Sequence, residues 1–306
     1  MTMFRFEQAQ ERAREIEPSE KLKEAIRHWS DILNAEFRSY CAEPDRAGAL
    51  LEGSCRIDMR AFMTKRGGPY PKEEREGKRG VQDDEMLAHT HEIVWSGARE
   101  DRTKKRYGTD DEEEIVRRWQ ADEEKHDGAL AESAVLCVLN KVLGERFVAV
   151  RASKYDDYEN GVDTLILDRE SGGVVCAFDE VVGAEDGDRY AHKIERARDR
   201  LAARGGMRVK YGLAFSKMNG EGARLDRRSL PNIPGFCISL SREDLHRLIR
   251  TADFNRGAAV SEIERSVFRG VVRALHLQED TMKSKLGPEQ RSQVDELIRY
   301  AEARSE

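Results

Sequence analysis

Two apolar segments that lie close together constrain the fold of this chain more than any other feature of its sequence. Residues 162–167 and 174–182 have the composition of β-strands, and the intervening Asp168-Arg169-Glu170-Ser171-Gly172-Gly173 has that of a turn. Consecutive strands joined by so short a turn must be antiparallel. The sheet that contains them is therefore not wholly parallel, which excludes a doubly wound α/β fold.

The segments around this hairpin predict a mixed α/β domain. The predicted elements, in chain order, are a helix at 129–143, strands at 147–150, 162–167 and 174–182, a charged amphipathic helix at 190–203, and strands at 207–215 and 236–240. Ser241 fits the N-cap of a further helix. We therefore expect an α/β fold with a mixed central β-sheet flanked by helices.

Three regions of the chain differ in composition. Residues 1–120 are charge-rich and helical in pattern, with a flexible loop expected at about 64–84, where Gly, Pro and charged residues concentrate. Residues 121–250 carry the predicted α/β core. Residues 251–306 form a helical extension interrupted at Gly287-Pro288. The two charged helical flanks could also drive oligomerisation.

Composition excludes several classes of protein. Apolar residues make up 39% of the chain and charged residues 37%, and no apolar stretch approaches the roughly 20 residues of a membrane span. Residues 1–11 lack the apolar core of a secretory signal and carry acids. The five cysteines are scattered and odd in number, which favours reduced core residues over a disulfide framework. We expect a soluble cytoplasmic protein with no membrane partner; its oligomeric state is left open.

An acidic residue falls on the apolar face of the helix predicted at 129–143. At 100° per residue, Glu132 lies in the same arc as Val135 and Leu139. A carboxylate on a core face is costly unless it is paired or bound to a metal. The alternative is that Glu132, near the helix start, reaches solvent or interacts favourably with the helix dipole.

Further acids interrupt the two strands of the hairpin. Asp163 opens an apolar strand, although Asp is a poor strand former. Asp179 and Glu180 are adjacent in an apolar strand and point to opposite faces, so at least one faces a packed layer. The hairpin can bring Asp163 beside one of them, and a divalent cation is the usual reason for carboxylates to converge. The alternative for Asp163 is a strand-edge residue that bonds to a turn.

The order of these acids resembles that of the PD-(D/E)XK nuclease-like superfamily, over about residues 125–245. The resemblance implies a restriction-endonuclease-like core, α-β-β-β-α-β, and metal-dependent hydrolysis of phosphodiester bonds in nucleic acid, with DNA as the expected substrate. It implies that Glu132, Asp163 and Asp179 hold Mg²⁺ or Mn²⁺, with Glu180 in support. The metal would lower the pKa of a bound water and clamp the scissile phosphate.

The lysine of the family motif is absent from its usual place, where this chain has Val181. In the family this lysine orients the attacking water and stabilises developing charge. Lys193 on the following helix and Lys210 on the next strand are the two candidates to replace it. The predicted catalytic set is therefore Asp163, Asp179, Glu180 and either lysine. The alternative is a non-catalytic interaction or nucleic-acid-binding scaffold that retains the fold.

Local charge is strongly segregated although the whole chain carries only a net charge of −6. Residues 152–188 contain eleven acids and two bases, a balance of −9, whereas residues 189–228 contain twelve bases and four acids, a balance of +8. An acidic cluster beside a basic segment suits a metal-dependent enzyme acting on nucleic acid, which would contact residues 189–228. The alternative is a solvated helix with ion pairs between successive turns.

Overall fold

The computed structural model describes six stretches of the chain, which are residues 17–40, 49–63, 78–170, 173–183, 187–218 and 222–305. Within them the backbone alone is described for residues 63, 78–79, 189, 204, 215–218 and 222–228. Several features predicted from the sequence lie outside the described residues: the segment at 1–11, Cys41, residues 64–77 of the expected loop, and Ser171-Gly172 of the hairpin turn.

Helices occupy most of the described chain. They are α1 (Pro18–Ser39), α2 (Lys78–Ser96), α3 (Asp101–Tyr107), α4 (Glu112–Glu123), α5 (Asp127–Leu143), α6 (Asp188–Arg204), α7 (Arg242–Thr251), α8 (Glu262–Lys283) and α9 (Pro288–Ser305). The strands are β1 (Phe147–Arg151), β2 (Thr164–Asp168), β3 (Val174–Val182), β4 (Met207–Met218), β5 (Gly222–Ile233) and β6 (Gly235–Leu240). A 3₁₀ turn at Met59–Met63 and a π turn at Asp156–Asn160 complete the description.

The central sheet has four strands in the order β1-β2-β3-β6 and is mixed, as the hairpin predicts. β2 pairs antiparallel with both β1 and β3, and β6 pairs parallel with β3. Helix α5 packs against β1 and β3, α6 against β6 and β3, and α8 against β6. The mixed α/β class with flanking helices is therefore confirmed.

The strand predicted at 207–215 is not part of this central sheet. It forms β4, which pairs antiparallel with β5 in a separate two-stranded sheet. The sequence did not predict β5, because its segment is rich in charge and contains Pro231, both of which disfavour strand assignment. The backbone N–H and C=O groups of this segment form hydrogen bonds with β4, and such bonds do not require apolar side chains. From β5 the chain passes through Pro234 directly into β6.

One apolar core runs through all three regions that differ in composition. Buried side chains from α1, the central sheet and α8 belong to the same cluster, among them Trp29, Phe147 and Phe268. The Trp29 indole N–H donates to the Phe254 carbonyl at 2.8 Å, which joins the N-terminal helix to the segment before α8. A second, small cluster comprises Ala98, Ile115 and Val116.

The free edge of β1 is covered by a segment of the N-terminal region. The Ile57 N–H donates to the Arg151 carbonyl at 3.0 Å, and the Arg151 N–H donates to the Cys55 carbonyl at 2.9 Å. Helix α1 holds this segment through Asn34, whose amide oxygen accepts from the N–H groups of Leu50 and Leu51 at 2.8 and 3.0 Å. The N-terminal region therefore takes part directly in building the central fold.

Other features expected from the sequence have direct counterparts in the structure. Ser241 is the N-cap of α7 and accepts from the Asp244 N–H at 3.0 Å. The four described cysteines are buried and free of disulfides. The segment expected as a flexible loop up to Asp84 is already helical from Lys78 onward. Among the described residues, no helix is both long and apolar enough to cross a membrane.

Candidate functional site

A polar cleft lies where β2 begins and β3 ends, beside the N-terminus of α5. Its volume is about 590 Å³. It is lined by Lys125, His126, Asp127, Gly128, Glu132, Asp157, Asp163, Glu180, Val182, Lys193 and Arg242. Because β2 and β3 are antiparallel, the residue before β2 and the last residues of β3 meet at the same end of the sheet. Of the predicted site residues, Glu132, Asp163, Glu180 and Lys193 therefore line one cleft.

Glu132 projects from the second turn of α5 and is paired with an arginine. Its carboxylate contacts the guanidinium of Arg151, the last residue of β1, and the Glu132 side chain is 20% exposed. A charge-assisted bond to arginine compensates part of the cost of burying the carboxylate. Glu132 thus lies on the inner side of its helix, as the apolar arc predicts, but its charge is paired with that of Arg151.

Asp163 is held between the two strands by backbone hydrogen bonds. Its own N–H donates to the Phe178 carbonyl at 3.0 Å, and its Oδ2 accepts from the Glu180 N–H at 2.8 Å. Burial raises the pKa of Asp163 well above its usual value, and the negative charges of Glu132 and Glu180 add to the rise. A cation beside these acids would act in the opposite direction and favour their charged forms.

Glu180 is buried in the cleft, and among the described residues no cation is paired with its carboxylate. Its exposure is only 8%, and among the described residues no donor is in hydrogen-bonding geometry with either carboxylate oxygen. Burial raises the pKa of Glu180 to about 7, and the charge of Glu132 adds to the rise, while Thr164 and Asp163 offset part of it. Buried side-chain polar atoms of folded proteins almost always have a partner, so this carboxylate requires an explanation.

Asp179 and Lys193 form an ion pair beside the cleft. The Lys193 ammonium contacts the Asp179 carboxylate, donates to the Glu180 carbonyl at 2.7 Å, and lies 4.0 Å from Asp163 Oδ2. Burial lowers the pKa of Lys193, but Asp163 and Asp179 outweigh it, so that the pKa is above its usual value. Asp179 is not among the described residues that line the cleft.

Lys210, the second lysine candidate, occupies a different environment. Its ammonium pairs with Asp84 at 2.6 Å and lies 4.9 Å from the centre of the Tyr155 ring. Its backbone N–H donates at 2.6 Å to the buried carboxylate of Asp156, in the π turn. Lys210 is not among the described residues that line the cleft. The structure therefore places Lys193, and not Lys210, against the acids.

Several charged residues of the site were not predicted from the sequence. Arg56 donates to Asp157 at 2.9 Å and to the Ala152 carbonyl at 3.1 Å. Asp157 adjoins the cleft, and so does Arg151, the partner of Glu132. Arg56 comes from the edge segment of the N-terminal region, far from the acids in sequence. Arg151 ends a strand, where its alternation with apolar neighbours could have marked it as inward-facing.

The predicted metal ligands do not form a closed coordination set in this arrangement. Among the described residues, no group of three or more His, Cys, Asp or Glu side chains is placed to hold a metal ion. Asp179 is engaged by Lys193, and Glu132 is engaged by Arg151. The donor chemistry nevertheless fits a hard divalent cation, since Glu132, Asp163 and Glu180 offer carboxylate oxygens to one cleft.

Comparison of the chain with protein-family models, with curated proteins and with solved structures gives no match. The function of the chain is consequently inferred from the chemistry of the cleft.

Proposed function

We propose that this protein is a divalent-metal-dependent nuclease that hydrolyses phosphodiester bonds of nucleic acid, with DNA as the expected substrate. The observation that carries the proposal is the buried carboxylate of Glu180, which has no partner among the described residues and shares a cleft with Glu132 and Asp163. A buried charge without compensation is strongly unfavourable. A bound cation removes that penalty and relieves the repulsion among the three acids.

The order of the elements supports the same proposal. The sequence α5, β1, β2, β3, α6, β6 follows the α-β-β-β-α-β order of a restriction-endonuclease-like core, with the β4–β5 hairpin inserted before β6. β6 lies parallel to β3 and next to it, so the acids of β3 are in the interior of the sheet. We propose that this core is of the restriction-endonuclease-like type.

The residues of the cleft suit Mg²⁺ or Mn²⁺, which prefer carboxylate oxygens as ligands. Glu132, Asp163 and an acid of β3 would hold the ion. When bound, such an ion stabilises negative charge on the phosphate and lowers the pKa of a coordinated water. Arg151 fixes the orientation of the Glu132 carboxylate, and the Glu180 N–H fixes that of Asp163.

Lys193 supplies the positive charge that the family motif places on the third strand. Three oxygens surround its ammonium, namely those of Asp179, the Glu180 carbonyl and, at 4.0 Å, Asp163. An ammonium held beside the metal-binding acids can stabilise the charge that develops on a phosphate and can donate a proton at Nζ. A residue on α6 thus replaces the lysine that Val181 does not provide.

A basic surface leads away from the cleft along α6. Arg196 and Arg200 follow Lys193 at helical spacing on the same side of α6, and Arg196 is exposed. Arg200 also lines a second cavity of about 390 Å³ together with Arg208. Basic residues in a row from the acids outward suit a phosphate backbone, whose binding is dominated by Lys and Arg contacts.

Cleavage of nucleic acid in the presence of a divalent cation tests the proposal. The purified chain is incubated with labelled single- and double-stranded DNA and RNA, in Mg²⁺, in Mn²⁺ and in EDTA. We expect cleavage in metal only, and we expect Asp163→Asn to lower its rate by about 100-fold or more, because loss even of groups that orient a metal ligand costs 10–100-fold. Asp110→Asn, at a side chain that is 93% exposed, is the matched control.

The result that contradicts the proposal is equally definite. If none of the four substrates is cut, and if calorimetry detects neither Mg²⁺ nor Mn²⁺ binding to the intact chain, the protein is not a metal-dependent nuclease. The non-catalytic scaffold then becomes the better description, and retention of nucleic-acid binding would support it.

A further inference from the structure

The two adjacent acids of β3 have different environments. This inference rests on the proposed function and concerns which of them binds the metal. Glu180 lines the cleft, is buried, and has no hydrogen-bond partner among the described residues. Asp179 is equally buried but is paired with the ammonium of Lys193, and it is not among the described residues that line the cleft.

Strand geometry places the two acids on opposite faces of β3. Successive side chains of a strand point to opposite faces of the sheet, so only one member of an adjacent pair can face a given side. Val182, two residues beyond Glu180, also lines the cleft, which identifies the face of Glu180 and Val182 as the one that faces it. Asp179 shares the other face with Ala177 and Val181.

The neighbours of the two acids agree with this division. Glu132 and Asp163 line the cleft together with Glu180, and the Glu180 N–H donates to Asp163 Oδ2 at 2.8 Å. Asp179 makes its direct contact with a cation, and this contact, together with the Glu180 carbonyl at 2.7 Å, determines where the Lys193 ammonium lies. One acid therefore lacks a cation and the other already has one.

We infer that Glu180, and not Asp179, is the third-strand ligand of the divalent cation, alongside Glu132 and Asp163, and that Asp179 is a positioning residue for Lys193. The family resemblance implies the opposite assignment, with Asp179 as ligand. In this assignment the ligand lies one residue further along β3 than the resemblance implies, and Asp179 holds the lysine supplied by α6.

Calorimetric titration with MnCl₂ separates the two assignments. Glu180→Gln and Asp179→Asn are matched variants, because each removes one negative charge from adjacent positions of the same strand. We expect Glu180→Gln to weaken Mn²⁺ binding by at least about tenfold, and Asp179→Asn to change it by less than about threefold, since Asp179 contacts Lys193 and would affect the ion only indirectly. Thermal unfolding in EDTA checks that both variants are folded.

A kinetic measurement tests the positioning role. At saturating Mn²⁺, Asp179→Asn should lower kcat and leave the KM for nucleic acid nearly unchanged, because Lys193 then loses the partner that orients it. Asp179→Glu, which retains the charge, should restore part of kcat. A purely structural role for Asp179 would instead lower the melting temperature and leave kcat of the folded fraction unchanged.

The outcomes distinguish failure of this inference from failure of the proposed function. If the unmodified chain binds no Mn²⁺, the proposed function fails. If the unmodified chain binds Mn²⁺ but Asp179→Asn loses the ion while Glu180→Gln retains it, the nuclease proposal stands and the present assignment is overturned. Equal losses in the two variants also overturn the division of roles.

Discussion

At the scale of single residues, the main energetic feature is a carboxylate that the fold buries without compensation. Glu180 lies among Glu132, Asp163 and Asp179, and the Lys193 ammonium contacts its backbone carbonyl rather than its carboxylate. In the absence of metal such a carboxyl group has its lowest free energy in the protonated, neutral form. Between about pH 5 and 7 the metal-free folded protein should therefore keep a proton on Glu180 that the unfolded chain, with the ordinary glutamate pKa of 4.5, has already released.

This proton makes the stability of the metal-free protein depend on pH. The pKa of Glu180 is raised from 4.5 to about 7, so between these values the folded state binds more protons than the unfolded state. The free energy of unfolding should consequently fall as the pH rises from about 5 to 7.5, by about 2–3 kcal/mol from this group, since one pKa unit corresponds to about 1.4 kcal/mol.

Urea unfolding in EDTA at pH 5, 6.5 and 7.5 measures this effect. Glu180→Gln removes the titrating group and its charge on Asp163, so the difference in unfolding free energy between the unmodified chain and this variant reports the titration of Glu180 together with its coupling to Asp163. The variant should be the more stable of the two at pH 7.5 and nearly equal to it at pH 5. Parallel pH profiles of the two proteins would contradict the prediction.

The sequence predicted which residues gather at the cleft better than it predicted how they are paired. Glu132, Asp163 and Glu180 could be selected because charged residues interrupt apolar patterns, and Lys193 was selected through the family resemblance as the replacement for the lysine absent at Val181. The pairing of Arg56 with Asp157 joins segments 101 residues apart, and the pairing of Arg151 with Glu132 joins a helix to the strand that follows it, which no pattern within either element predicts. Alternation separates Asp179 from Glu180, but only the tertiary structure determines which face looks into the cleft.

At the scale of elements, α5 is buried on more sides than its amphipathic pattern predicts. Asn140 lies outside the apolar arc, yet its amide oxygen accepts from the Ala149 N–H at 2.9 Å and its amide nitrogen donates to the Ala149 carbonyl at 2.8 Å. Lys141 is 3% exposed and pairs with Glu264 at 2.7 Å. Polar residues can occupy buried helix faces when another element satisfies them, and a pattern within one helix does not reveal that element.

The buried ion pair between α5 and α8 should contribute strongly to stability once formed. Glu264 is fully buried, and it also closes a capping box with Ser261 at the start of α8. Replacing only Lys141 leaves that carboxylate without its cation, so Lys141→Met should lower the free energy of unfolding by about 3–5 kcal/mol. Urea unfolding at pH 7 measures the change.

Two further variants serve as controls for the measurement on Lys141→Met. Lys23→Met removes a lysine whose partner Glu124 is 64% exposed, and it should cost less than about 1 kcal/mol because such surface pairs are weak. Adding Glu264→Gln to Lys141→Met removes the isolated charge and should restore part of the loss. If Lys141→Met is no more harmful than Lys23→Met, the buried pair does not have the energetic role assigned to it.

Strand β5 shows where prediction of the elements was incomplete. The apolar strands β1, β2, β3 and β6 were identified because their burial requires apolar side chains. β5 carries the charged segment Arg224 to Arg228 and pairs only with β4, so its sequence has no apolar period to detect. β5 is recognised in the structure by its backbone pairing with β4, and its last residues Leu230 and Ile233 enter the core.

At the scale of the whole molecule, composition divides the chain more sharply than the fold does. The net charge of −6 and the boundaries near residues 120 and 250 suggested a core between two charged helical flanks. In the structure the flanks bury their apolar faces on that core: α1 packs against α5 and α7, α8 against β6, and α9 against β3. Helices α1, α8 and α9 thus bury apolar faces against the core, whereas the exposed large apolar side chains of the described residues all lie in the flanks, namely Met86, Leu87, Val94, Trp95 and Leu277.

A shortened chain tests whether the central region is an independent domain. Residues 121–250 alone lack α1, α8 and α9, and they lack the edge segment whose Cys55 carbonyl and Ile57 N–H bond to Arg151. Apolar side chains of β1, β3 and β6 would then face water, so we expect this fragment to show no cooperative urea transition and to bind a dye specific for exposed apolar surface. The full chain, measured under the same conditions, should unfold in a cooperative transition and bind little dye. A fragment that unfolds cooperatively at the urea midpoint of the full chain would show that composition, and not the shared core, marks the folding unit.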